Sequence, residues 1–77
     1  MREVVYDNDG VAVLKDDAKY YVRYDAGAHQ IAIREDEISE DEALQIRAGT
    51  AQATQVLFVV QRRLTAARTD PYISNIR

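Results

Sequence analysis

The chain has no cysteine and no tryptophan, and only one proline, one histidine and three glycines among its 77 residues. Without cysteine it can form neither a disulfide nor a thiolate metal site, the devices that stabilise many small domains. A domain of this length buries only about 60% of the surface that its unfolded chain exposes. Its stability must therefore come from efficient packing or from association with another chain.

Long apolar runs and targeting segments are also missing. The longest apolar run is Val56–Val60, whereas a membrane-spanning helix needs ~20 residues. No basic segment followed by an apolar run stands at the start, as it would in a signal peptide. The lack of cysteine fits a reducing compartment. We expect a soluble cytoplasmic protein without a membrane partner.

The motifs of common catalytic and metal centres are absent as well. His29, the only histidine, lies in a predicted turn, and the sequence assigns it neither a nucleophile nor an orienting partner. The segment around Gly10 fits a calcium loop poorly, because aligning Gly10 with the sixth loop position puts Val5 at the first ligand position and Asp16 at the last. We expect no enzymatic activity, no cofactor and no metal site.

The charges are divided between the two halves of the chain. Residues 1–42 carry twelve acidic and five basic side chains, net −7, whereas residues 43–77 carry one acid and five arginines, net +4. A negative first half opposes contact with phosphate groups, and five arginines alone do not make a nucleic-acid patch. We therefore expect nucleic acid not to be the main partner.

The first half alternates short β-branched or aromatic segments with turn residues. Residues 3–6 and 11–14 flank Asp7–Gly10, whose composition favours a tight hairpin. Residues 19–25 and 30–36 follow after two further turns. This spacing predicts an antiparallel meander of three or four strands within residues 1–35. The period-two alternation predicts one apolar face, formed by Tyr20, Val22, Tyr24, Ile31 and Ile33.

The hydrophobic period changes after Ile38. Ser39 followed by Glu42 has the pattern of a capping box, and Glu40–Glu42 place negative charge at the positive end of a helix. Pro71 prevents the helix from continuing. The sequence therefore predicts a single α+β domain, in which one long helix over about residues 39–69 packs on the sheet and an irregular tail covers residues 70–77.

The apolar block Val56–Val60 has the composition of a buried strand, but its flanks are made of good helix formers and lack turn residues. We interpret it as helix. Gly49 leaves two alternatives open, which are a helix broken near this glycine and two helices that flank a strand.

A continuous helix of this length would be apolar on more than one side. From Glu40 to Arg68 it would extend about 43 Å at ~1.5 Å per residue, well beyond strands of about 17–23 Å. The simplest cover is a second copy of the chain, with acidic residues 40–42 near the partner's arginines. We predict a homodimer; the alternative is a monomer whose helix folds back near Gly49. The predicted dimer interface is Ile46, Gly49, Ala53, Val56, Phe58 and Val60.

A second set of residues is suited to another partner. Six acids fall within Glu35–Glu42, and such a patch can steer a protein with a basic surface. Tyr21 and Arg23 face away from the predicted apolar face and belong to residue types that anchor interfaces. The predicted partner-binding residues are Tyr21, Arg23, Glu35, Asp36 and Glu37.

Taken as a whole, the sequence favours a small non-enzymatic protein–protein interaction or regulatory module that forms a homodimer through the long helix. Two alternatives remain open. One is a nucleic-acid-associated regulator, which salt-dependent binding to oligonucleotides would indicate. The other is a small-molecule-binding dimer, which a deep pocket between sheet and helix near Tyr24, His29 or an acid would indicate.

Overall fold

The first half of the chain forms one antiparallel sheet. The computed structural model describes residues 2–8, 10–27 and 30–76. The strands follow each other in the order β1-β2-β3-β4, which is an antiparallel meander. The predicted α+β class and the meander are confirmed. The strands are β1 (Glu3–Asn8), β2 (Val11–Asp16), β3 (Lys19–Asp25) and β4 (Ile33–Ile38).

The turns are built from the residues that the sequence indicated. Asn8 pairs with Val11 across the first turn, where Gly10 has a φ of 78°, a value that glycine adopts without steric cost. Asp25 closes the third turn, because its carboxylate accepts hydrogen bonds from the backbone N–H groups of Gly27 and Ala32, each at 2.9 Å. These bonds lower the pKa of the Asp25 carboxyl. Asp9 and His29 lie outside the described residues, so the expected turn position of His29 stays a prediction.

The strand register decides which side chains share a face. Val13 lies opposite Val22, and Val22 lies opposite Asp36, so these three residues point to the same side of the sheet. Tyr24 pairs with Arg34 in the same way. The helices cover this side. It therefore carries two charged residues on β4 beside the apolar residues of β2 and β3.

The predicted apolar face is correct for Tyr20, Val22 and Tyr24 but wrong for the two isoleucines. Ile31 precedes β4 and is 78% exposed, and Ile33 is half-buried on the opposite face, where it pairs with Asp25. The predicted alternation of residues 30–36 has the correct period, but the residues predicted to face the helices lie on the other face of the sheet. Since successive residues of a strand point to opposite faces, Arg34 takes the inward position in place of Ile33.

The core lies between the sheet and two helices. It joins buried residues of all three layers, with Val13 and Val22 from the sheet and Ile46 and Val56 from the helices almost completely enclosed. Tyr6, Val11, Tyr20, Leu57 and Leu64 pack around its margin. The apolar block 56–60 thus contributes to this core as helix, which confirms its interpretation over the strand alternative.

The first helix, α1 (Glu40–Ala48), begins with the predicted capping box. The Ser39 hydroxyl accepts a hydrogen bond from the Glu42 backbone N–H at 3.1 Å, and the Glu42 carboxylate accepts one from the Ser39 backbone N–H at 2.9 Å. Two N–H groups without a partner in the helix are thereby satisfied. The acidic residues Glu40, Asp41 and Glu42 occupy its first turn, as the sequence indicated.

The prediction of one long helix is matched only in part, because the structure has the break near Gly49 that the sequence left open. The helical half divides at Gly49, and α2 (Thr50–Ala66) follows as a separate helix. Gly49 has φ 153° and ψ 174°, a conformation that is essentially restricted to glycine. The Arg63 guanidinium of α2 pairs with the Glu42 carboxylate of α1. In a straight helix these two residues would be about 31 Å apart at ~1.5 Å per residue, so α2 folds back along α1.

The conformation of Gly49 yields a first prediction. Replacing Gly49 with alanine should lower the free energy of unfolding by about 1–3 kcal/mol, because a Cβ is strained at this φ and would stand 3.1 Å from the Gln52 side-chain oxygen. Urea unfolding followed by circular dichroism measures the loss. The exposed neighbour Ala51, changed to glycine, is the control and should lose about 0.5–1 kcal/mol. An unchanged or higher stability of Gly49→Ala would contradict the proposed role of the break.

Candidate interaction site

A buried charged cluster lies at the β4 side of the sheet. The Arg34 guanidinium binds both carboxylate oxygens of Asp36, with Nη2–Oδ1 at 2.9 Å and Nε–Oδ2 at 3.1 Å. The Tyr24 hydroxyl donates to Asp36 Oδ2 at 2.9 Å. Arg34 is only 4% exposed and Tyr24 only 2%. Each charge is therefore paired where water is largely excluded, as a buried ion pair requires.

The C-terminal tail, residues 70–76, completes this cluster. Arg34 Nη1 also donates to the backbone carbonyl oxygens of Asp70 and Ile73. The same tail blocks the outer edge of β4, because the Asn75 side chain donates to the Glu35 carbonyl at 2.7 Å and accepts from the Glu35 N–H at 2.8 Å. The Ser74 hydroxyl donates to the Ile33 carbonyl. Side chains thus occupy the positions that a fifth strand would take beside β4.

On the opposite face of the sheet, Glu35 is held between two arginines. Arg23 binds Glu35 Oε2 through Nε at 3.0 Å and Nη2 at 2.9 Å, and Arg2 binds Oε1. The Arg2 guanidinium also lies 3.8 Å from the centre of the Tyr21 ring, a cation–π contact. The Glu35 side chain is only 7% exposed, so its charge is neutralised within the chain.

The structure therefore separates the predicted partner-binding residues. Tyr21, Arg23 and Glu35 lie together on the outer face, where they bind one another or Arg2. Asp36 lies on the helix-covered face in the cluster with Arg34. Glu37 is the one exposed acid of the set. Glu42, from the same acidic segment, pairs with Arg63; burial opposes its ionisation, but the bonds from Ser39 and Arg63 lower the pKa of its carboxyl.

The predicted dimer-interface residues are divided as well. Ile46, Ala53, Val56 and Val60 are between 1% and 7% exposed and belong to the core of the chain itself. Gly49 forms the helix break and is half-buried. Phe58 alone is prominently exposed, at 62%. The fold-back of α2 therefore satisfies the apolar seam that a second copy was expected to cover, and it leaves the seam that carries Phe58 uncovered.

Phe58 lines an open groove between the outer side of α2 and the tail. Tyr72, which is 59% exposed, lines the groove from the tail, and Arg62 lines it from α2. Aromatic and arginine side chains are the types that dominate binding energy at protein interfaces. The groove has a volume of about 440 Å³, and its lining is completed by Gln61, Thr65, Ala66 and Pro71. We refer to these seven residues as the α2–tail groove.

Sequence reasoning missed most of the α2–tail groove. The helical spacing of Ala51, Gln55 and Phe58 indicated a seam, and Arg62 and Thr65 continue it at the same three- and four-residue intervals. Those intervals could have extended the seam to the C-terminal turn of α2. Nothing in the sequence indicated that Tyr72 would line the same groove as Phe58, because the tail that carries Tyr72 is held by Arg34.

No group of three or more histidine, cysteine, aspartate or glutamate side chains in residues 2–8, 10–27 and 30–76 is placed to hold a metal ion. A recess of about 160 Å³ between the sheet and the helices is lined by residues such as Tyr6, Val11 and Leu57 and by no acid. Neither helix of the described chain is long and apolar enough to cross a membrane.

The chain was compared with protein-family models, with curated protein sequences and with solved structures. None of the three comparisons finds a match. Any functional conclusion therefore depends on the geometry of the chain itself.

The buried ion pair yields a second prediction. Arg34→Met should lower the free energy of unfolding by about 3–5 kcal/mol, because it leaves the Asp36 carboxylate buried without its cation. Adding Asp36→Leu should restore much of that loss, which denaturant titration of both variants measures. The matched control is Arg23→Met on the outer face, which should cost about 1 kcal/mol or less, because the Arg23 side chain is 44% exposed and Arg2 still pairs with Glu35. Equal losses for Arg34→Met and Arg23→Met would refute the assignment.

Tyr24 yields a prediction about alkaline stability. Burial, followed by the hydrogen bond to Asp36, raises the pKa of the Tyr24 hydroxyl from 10.0 to about 12. The folded state thus holds this proton more tightly than the unfolded state, so the contribution is complete below pH 10 and is lost as the pH rises towards 12. Tyr24→Phe should therefore make the fall in urea midpoint between pH 10 and pH 12 shallower. Parallel curves for the variant and the natural chain would contradict this.

Proposed function

We propose that the chain is a non-enzymatic protein–protein interaction module that forms a homodimer through the α2–tail groove. The observation that carries the proposal is the juxtaposition of Phe58 and Tyr72. Both aromatic rings are more than half exposed and line one groove beside Arg62. Large exposed aromatic side chains that share an apolar surface are typical of interaction sites rather than of a free surface.

The shape of this surface suits a second copy of the chain. A two-fold interface uses the same patch on both subunits, so the patch must contain a projection and the hollow that receives it. Phe58 supplies the projection from α2, and the hollow lies beside it between α2 and Pro71–Tyr72. In a two-fold arrangement each Phe58 enters the groove of the other subunit.

The solvent-accessible surface area of the chain is also consistent with a second copy as its partner. A monomer of 8.7 kDa is expected to expose about 4,700 Å². The chain exposes 5439 Å². The chain thus exposes about 700 Å² more than a monomer of its mass is expected to, and the exposed side chains of Phe58 and Tyr72 contribute to this area.

The proposed interface does not use the pairing between acids of α1 and arginines of the partner that the sequence suggested. The acids of α1 were expected to meet the partner's arginines, but Glu42 pairs with Arg63 of its own chain. The outer side of α2 has no acidic residue, and Arg62 is exposed there. The proposed interface therefore depends on apolar contact, with Arg62 at its rim.

The dimer is tested by the substitution Phe58→Lys. The natural chain should sediment at twice its 8.7 kDa mass at micromolar concentration. Phe58→Lys should weaken the dimer by about 2 kcal/mol or more, because it removes the central apolar side chain and places two cations in contact. Analytical ultracentrifugation across a dilution series measures both.

The matched control is Leu44→Lys. Leu44 is 56% exposed on α1 and does not line the α2–tail groove. This variant should remain dimeric. A natural chain that sediments as a single 8.7 kDa species at tens of micromolar would refute the homodimer.

A further inference from the structure

The two edges of the sheet differ. The tail covers the outer edge of β4 through Ser74 and Asn75. β1 pairs only with β2, and within residues 2–8, 10–27 and 30–76 no other segment bonds to its outer edge. An edge strand without a neighbour presents N–H and C=O groups that can pair with another chain. The sheet is therefore closed on one side and open on the other.

The open edge adjoins an apolar recess. Val5 of β1 and Leu44 of α1 both line it and are 41% and 56% exposed. The regular pairing of β1 is interrupted between Val4 and Tyr6, so Val5 is an extra residue that has no partner on β2. The recess, about 40 Å³, has room for the end of one aliphatic side chain. Its remaining lining is Val13, Tyr20, Glu40, Ala43 and Arg47.

We propose that an extended, basic segment of another protein binds along β1 as an additional strand and inserts an apolar side chain between Val5 and Leu44. In this mode of recognition, backbone hydrogen bonds supply affinity and a pocket for one side chain supplies specificity. The open edge and the recess provide both elements on the same side of the chain.

The charges of this region favour a basic occupant. Glu3 and Asp7 are exposed on β1, and Glu40 is exposed at the recess. None of these three acids forms an ion pair within the described residues. Arg47 lines the recess, and Lys15 lies opposite Glu3 on β2, so two cations lie near these three acids. Because the register of β1 shifts at Val5, Glu3 lies on the helix-covered face and Asp7 on the outer face. A strand whose apolar side chain enters the recess would present its alternate lysine or arginine side chains on the outer face, beside Asp7.

The same charges disfavour a second copy at this edge. A second copy paired along β1 would bring the exposed acids Glu3 and Asp7 of both chains to one edge. Like charges that are brought together at an interface cost free energy. The open edge and the α2–tail groove are therefore separate sites for different partners, and the present proposal does not rest on the homodimer.

The test uses a seven-residue peptide of alternating lysine and valine, acetylated and amidated at its ends. Titrated into the ¹⁵N-labelled full chain, it should shift the amide resonances of β1 and of the exposed side of α1. A peptide of alternating glutamate and valine should bind at least about tenfold more weakly. A lysine–valine peptide with a central proline should also lose affinity, because proline cannot donate to the strand pair.

Two variants separate this site from the dimer. Leu44→Lys should weaken binding of the lysine–valine peptide at least about tenfold and leave the sedimentation of the chain unchanged. Phe58→Lys should leave peptide binding unchanged and impair only the dimer. Shifts that map away from β1 and α1, equal binding of the glutamate peptide, or unchanged binding by Leu44→Lys would each overturn the proposal, whatever the oligomeric state.

Discussion

The fold-back of α2 along α1 at Gly49 is the constraint on which the rest of the structure depends. It places Ile46 and Val56 together over Val13 and Val22, and a chain of this size has no disulfide to do so. The ion pair between Glu42 and Arg63 joins the two helices in this arrangement. The same turn determines which side of α2 stays uncovered, so the interior and the exposed surface follow from one glycine.

The general architecture could be predicted from the sequence because local rules agree there. The turn residues, the period of two in β3 and the box formed by Ser39 and Glu42 all depend on neighbours within a few positions. The break at Gly49 was left open for a physical reason. A single glycine in a helix costs about 1 kcal/mol, which favourable packing can offset, so its effect is decided by contacts distant in sequence.

The face of β4 shows a different limit of local reasoning. Its residues alternate correctly, yet hydrophobicity assigns the inner side to Ile33, and the structure assigns it to Arg34. The inward arginine is tolerated because Asp36, two residues along the strand, and carbonyl groups of the tail satisfy it. The carbonyl groups belong to Asp70 and Ile73, which lie 36 and 39 positions further along the chain, so no pattern within the strand indicates them. The α2–tail groove was missed for the same reason, since Tyr72 lines the groove from a tail that is held by contacts distant in sequence.

The side chains of the tail that cover the outer edge of β4 limit how the sheet can be extended by other chains. A sheet with two free edges can polymerise, because every added strand offers a new edge to the next chain. In this chain, Ser74 and Asn75 occupy the outer edge of β4, so no further strand can be added there. An isolated strand that pairs with β1, at the other edge, would add one strand to the sheet without joining the molecule to a second copy. With only one open edge, the chain can accept a strand at β1 but cannot form fibres by adding chains at both edges of its sheet.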